Sequence, residues 1–166
     1  MDFERSLKAL CRTSDGPYLR PFRPSPDWRS ARVFIVGTNP ATPLRDEFTD
    51  FESYWAALTK HPERFDAIYA GVRRGFRSRT STRISTLCDG LGALNYLVAN
   101  ACSYPSVRAS QIPREQWGIG QHILSDLIDI GSVEPVLGGF STSAGGYPFG
   151  RASWVNDTTR YDAIGG

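Results

Sequence analysis

Two asparagines stand at matching places in the chain. Asn39 lies in Gly37-Thr38-Asn39-Pro40, directly after the run Arg32-Val33-Phe34-Ile35-Val36. Asn100 follows Leu97-Val98-Ala99 and precedes Ala101 and Cys102. A carboxamide carries one carbonyl acceptor and two N–H donors. That set suits reading the polar edge of a nucleobase, or holding a water molecule in place. As a general base it is weak, so it would orient water more than activate it. In the first loop Gly37 lets a ligand approach the backbone, and Pro40 stiffens the turn. Both residues also have plainer roles open to them. Asn39 can close an Asx turn, and Asn100 can satisfy backbone groups of its loop.

The elements that must carry these residues follow from the hydrophobic pattern. Residues 1–31 read as a lead-in: a short helix near residues 3–11, then an extended Pro- and Arg-rich stretch from Gly16. Residues 32–37 are β-branched and apolar and end in glycine, as a strand buried on both faces does in a parallel sheet. Residues 48–59 set Phe48, Phe51, Tyr54, Trp55 and Leu58 at helical spacing, with Thr49 or Asp50 as the cap. Phe51, Trp55 and Leu58 are expected in the core, and Phe48, at the helix start, is expected to face a pocket. Residues 64–72 read as one or two helical turns, 73–82 as loop, and 83–96 as a helix weakened by Gly90 and Gly92.

A second buried strand is expected over 97–102, an amphipathic helix over 121–130 and a third strand over 133–137. The tail, 138–166, is Gly-rich with little periodicity and lacks the Lys-Ser/Thr ending of a phosphate-binding loop. Strands alternating with helices make an α/β domain with a mostly parallel sheet. Ligands of such sheets bind beyond the carboxyl ends of the strands, and both asparagines leave from such ends.

A length of 166 residues suits a single domain spanning the chain. No apolar run approaches the roughly 18 residues of a membrane span, and the polar N-terminus has no signal-peptide core. A soluble, cytoplasmic protein is expected. The formal charge of +2 does not by itself point to a polyanion; its distribution says more. Arg73, Arg74, Arg77, Arg79 and Arg83 have no acid among them, whereas Asp46, Glu47, Asp50 and Glu52 gather elsewhere. Cys11, Cys88 and Cys102 are odd in number and widely spaced, which disfavours disulfides and iron–sulfur clusters. His61 and His122 lie too far apart for a metal-ligand motif. No metal and no cofactor are expected.

Val36-Gly37-Thr38-Asn39-Pro40 after a strand resembles motif A of the uracil-DNA glycosylase superfamily. It is most similar to the mismatch-specific and single-strand-selective branches, whose motif reads Gly-x-Asn-Pro. Phe51-Glu52-Ser53-Tyr54-Trp55-Ala56-Ala57-Leu58 resembles the aromatic helix that follows, and the strand ending in Asn100 resembles the segment bearing the base-reading asparagine. The likeness runs in order over roughly residues 20–130.

The resemblance implies a three-layer α/β sandwich around a central, mostly parallel sheet of four strands, or a shortened one. It implies a monofunctional DNA glycosylase that flips out uracil, or a related modified or mismatched base, and hydrolyses its N-glycosidic bond. Asn39 would be the catalytic residue that orients the attacking water. Gly37, Thr38 and Pro40 would face the base, Phe48 would stack on it and Asn100 would read its edge. Arg73, Arg74, Arg77, Arg79, Ser81, Thr82 and Arg83 would meet DNA phosphates. DNA is then the partner, with no membrane, and the protein a monomer.

The superfamily's final His-Pro-Ser or Met-Pro-Ser-Ser loop has no counterpart, since no histidine follows His122. The alternative is therefore a nucleic-acid-binding module that keeps the fold without the catalysis. An enzyme acting on a small phosphorylated molecule is disfavoured, because Pro40 and Pro43 remove backbone donors from the loop.

Overall fold

The computed structural model describes residues 3–75, 79–91, 95–130 and 138–139. Over these the chain is mixed α/β with a small parallel sheet. Strands β1 (Val33–Gly37) and β2 (Tyr96–Asn100) pair in parallel register from Val33↔Tyr96 to Gly37↔Asn100. A two-residue strand, β3 (Gly138–Gly139), lies parallel on the other side of β1. The expected strand over 133–137 and the tail beyond Gly139 lie outside the described residues.

Central position explains the sequence of β1. Phe34 and Ile35 are adjacent and both buried, so the strand is covered on both faces. Strand β2 instead alternates, with Leu97 and Ala99 buried and their neighbours half-buried. It is shorter at its carboxyl end than the apolar pattern suggests, because residues 101 and 102 have already turned into the loop.

The lead-in is more than a spacer. Helix α1 (Phe3–Cys11) buries Leu7 and Cys11. The extended segment then runs along the outer edge of β2, with an antiparallel bridge from Phe22 to Ala99. The Arg23 N–H donates to the Val98 carbonyl (2.7 Å), and the Asn100 N–H donates to the Pro21 carbonyl (2.8 Å). A proline serves at such an edge because its carbonyl is needed there and its missing N–H is not. Phe22 is fully buried and stacks on Trp28, with centroids 5.3 Å apart. The cover also removes an exposed strand edge, a common route to unwanted pairing.

Helix α2 (Phe51–Thr59) starts where its capping signal lies. Asp50 Oδ1 accepts from the Ser53 N–H (2.7 Å), and the Asp50 N–H donates to Ser53 Oγ (3.3 Å). The helix therefore begins three residues after Phe48. Phe51, Tyr54, Trp55 and Leu58 are all buried, forming the aromatic centre of the core with Tyr18 and Phe65. Helix α3 (Pro62–Val72) follows, with proline at its first turn where no N–H is missed.

Helix α4 (Arg79–Leu91) begins inside the stretch expected to be loop, so residues 79–82 are helical. It also ends earlier than the expected 96. Helix α5 (Arg114–Ile130) starts seven residues before the expected 121. Its first half carries Gly118 and Gly120, which obscure helical periodicity in the sequence; Gly120 is buried against the loop that follows β2. Among the described residues no helix is long and apolar enough to cross a membrane.

Candidate functional site at the carboxyl end of the sheet

Parallel pairing carries Gly37 and Asn100 to the same end of adjacent strands. The two following loops stay side by side. The Ala101 N–H donates to the Gly37 carbonyl (2.8 Å), the Cys102 N–H to the Thr38 carbonyl (2.9 Å) and the Ser106 N–H to the Pro40 carbonyl (2.8 Å). The Arg20 N–H adds a bond to the Ser103 carbonyl (2.8 Å), so the lead-in closes a third side.

Asn39 is half-buried within this frame. Its Nδ2 donates to the Ser106 carbonyl (2.8 Å) and to the Pro40 carbonyl (3.0 Å). Both partners are acceptors, which fixes the nitrogen toward them and leaves Oδ1 on the other side. Both donor hydrogens are thereby committed. Oδ1 accepts no hydrogen bond among the described residues, so Asn39 offers an acceptor only.

Asn100 is also half-buried, and its Nδ2 donates to the Arg20 carbonyl (3.1 Å). Among the described residues its second N–H and Oδ1 take no partner. A Cβ placed on Gly37 would stand 3.5 Å from Asn100 Oδ1, so glycine leaves that oxygen uncovered on its strand neighbour's side. An acceptor beside a donor on one side chain is the pattern that matches a nucleobase edge.

The remaining expected residues are placed as follows. Thr38 is exposed and Pro40 buried. Phe48 is only 5% exposed and packs edge-on against Tyr54 (5.2 Å) and near Phe65 (5.7 Å). It sits in the aromatic core, because the Asp50 cap turns the chain inward just after it. Arg73 is half-buried at the end of α3, and Arg74 is exposed with a left-handed φ of 50°. Ser81 is half-buried and Arg83 exposed on α4, while Arg79 is the first residue of that helix. Arg77 lies outside the described residues.

The acidic group is not an isolated patch. Glu52 pairs with Lys8 and Arg12 of the N-terminal segment, and the Lys8 bond holds its carboxyl below the ordinary range. An open hollow of about 520 Å³ lies there, lined by residues that include Arg12, Arg45 and Phe51. A second, of about 440 Å³, lies at the start of β2 beside Asn95, Asp66 and Asp89. Neither is lined by Asn39 or Asn100. Among the described residues no three histidine, cysteine or acidic side chains gather to hold a metal ion.

Two contributors escape sequence reading. Arg20 is buried beside the loop after β1, where its Nη2 donates to the Thr42 carbonyl (3.2 Å). Gly120 of α5 abuts the backbone of residues 101–103 and so holds the Asn100 loop from behind. Only Gly120 leaves a trace in the sequence, as a glycine inside an otherwise helical stretch.

Compared with protein-family models, with curated proteins and with solved structures, the chain matches none of them.

Proposed function

We propose that the chain is a monofunctional DNA glycosylase that removes uracil or a related modified or mismatched base, acting as a monomer without metal or cofactor. The observation that carries the reading is the Gly37↔Asn100 register, which puts both carboxamides at the carboxyl end of one parallel pair. Asn39, with only Oδ1 to offer, accepts a hydrogen bond from the attacking water. That water adds to the deoxyribose anomeric carbon as the glycosidic C–N bond breaks, and gives up one proton to solvent. The base leaves as an anion, which the free Asn100 N–H helps to stabilise, and is then protonated from solvent. Gly37, Thr38 and Pro40 shape the backbone side of the base site. Phe48 supports it from within the core. The reading carries with it a three-layer, four-stranded sandwich and a cytoplasmic setting.

The test uses a labelled oligonucleotide with one uracil, followed by alkali to cut abasic sites. Cleavage by the native chain, and its loss by orders of magnitude in Asn39→Ala, support the reading. A native chain that leaves uracil and other modified bases intact overturns it.

A second reading draws on the strapping of Asn39 to the Ser106 and Pro40 carbonyls, which suits a loop strut as well as a catalyst. In that reading the chain binds nucleic acid without cutting the glycosidic bond. Binding then survives Asn39→Ala and falls steeply with salt.

A further inference from the structure

The interior beside the Asn39 loop holds a cation with no anion. Arg20 is 6% exposed and forms no ion pair among the described residues. Its guanidinium lies over the rings of Tyr69 (5.1 Å) and Phe65 (5.5 Å). Aromatic faces offset only part of the cost of burying such a charge. A second guanidinium, that of Arg73, lies 5.7 Å over the same Tyr69 ring, and its Nη1 donates to the Tyr69 oxygen (3.2 Å). The Thr42 hydroxyl also donates to that oxygen (3.3 Å). With both of those bonds accepted, the Tyr69 hydrogen is left to donate to a further group.

Two like charges gathered on one aromatic ring repel each other, and an anion set between them relieves that repulsion. Their effect is felt by Tyr69 itself. Burial alone would raise its phenol, yet the Thr42 and Arg73 bonds and the two charges outweigh it and hold the phenol below its ordinary value. Burial draws Arg20 below its own ordinary value, with Tyr54 and Tyr69 opposing. Two planar forks and a hydroxyl offer more donors than one carboxylate can take up. A phosphate, with oxygens spread around a tetrahedron, matches them better.

We propose that Arg20, Thr42, Tyr69 and Arg73 form a binding site for the phosphate group of a nucleic-acid strand, next to the Asn39 loop. The source of the phosphate rests on the nucleic-acid reading above; the site itself does not. Arg20 supplies the fixed charge from below. Arg73 and Tyr69, both half-buried, supply the outer contacts.

The test has two arms. In the first, thermal unfolding is followed in sodium phosphate and in sodium chloride at equal ionic strength. Phosphate should raise the midpoint of the native chain, and Arg73→Gln and Tyr69→Phe should remove most of that rise. In the second, a fluorescent single-stranded oligonucleotide is titrated over a range of salt. Arg73→Gln should weaken binding about tenfold. It should also reduce the slope of log affinity against log salt by about one. No midpoint rise beyond chloride, or a rise equal in all three chains, overturns the site. A phosphate-specific rise without oligonucleotide binding keeps the site, assigns it to a free phosphate group and overturns the strand as the source. Base release without a phosphate-specific rise keeps the glycosylase reading and overturns the site.

Discussion

Gly120 of α5 lies against the backbone of Cys102, so closely that a Cβ built on it would stand 2.6 Å from the Cys102 Cα. The same atom would be 2.8 Å from the Ala101 carbonyl oxygen and 3.0 Å from the Ser103 nitrogen. All three are backbone atoms and none can swing aside. Gly120→Ala should therefore push α5 off the Asn100 loop and cost about 1–3 kcal/mol, as overpacking does. Gly118, two residues earlier in the same helix, has open space where a Cβ would stand, with nothing within 4 Å, and Gly118→Ala should gain about 0.5–1 kcal/mol. Urea unfolding of the two variants reads the difference, and equal effects would mean the close approach is not made.

Asn39 ties two loops together through the Ser106 and Pro40 carbonyls. Asn39→Ala leaves those acceptors without their donor and should cost about 1–3 kcal/mol in chemical denaturation. Asn39→Asp should also destabilise, because it sets a carboxylate oxygen against two carbonyl oxygens. A stability unchanged by both would remove the strut from the account of this loop.

Arg74 holds a left-handed φ of 50° just past the end of α3, followed by Gly75 at 72°. That conformation is strained for any residue with a Cβ. Arg74→Gly should raise stability by up to about 1 kcal/mol, whereas Arg74→Ala keeps the strain and gains nothing. Thermal unfolding distinguishes them. Nucleic-acid binding by the same two variants then separates the loss of charge, which they share, from the change in backbone, which they do not.

Cys11 and Tyr54 are buried, and burial raises both groups above their ordinary values of 9.0 and 10.0. Arg20 partly opposes the rise at Tyr54. The folded chain keeps both protons at a pH where the unfolded chain releases them. Their contribution to stability is thus complete below pH 9.0 and is lost as the pH rises past 9.0 and then 10.0 toward the folded values. Alkaline unfolding followed by circular dichroism should begin in that window, and Cys11→Ala with Tyr54→Phe should flatten the slope there.

Local chemistry was enough for much of the scaffold. The β-branched run before Gly37 reads as a covered strand, and Asp50 stands beside Thr49 as a cap for α2, with the three-residue bond to Ser53 deciding between them. The spacing of Phe51, Trp55 and Leu58 foretold their burial in the same way. Helix α1 was also legible, since its apolar positions repeat within nine residues.

Contacts between distant parts of the chain settled the rest. That Asn39 follows a strand is written in the residue order; that Asn100 ends the strand beside it, with Gly37 opposite, comes from the parallel register. Phe48 looked free to face a ligand, but the turn at Asp50 drew it against Tyr54 and Phe65. Arg20 looked like one more arginine in a Pro-rich lead-in, until pairing of that lead-in with β2 buried it beside Tyr69. Hydrogen bonding and hydrophobic periodicity act over a few residues and can be read along the chain. Strand register, edge cover and the burial of a charge depend on which segments meet, and that is set by packing of the whole core.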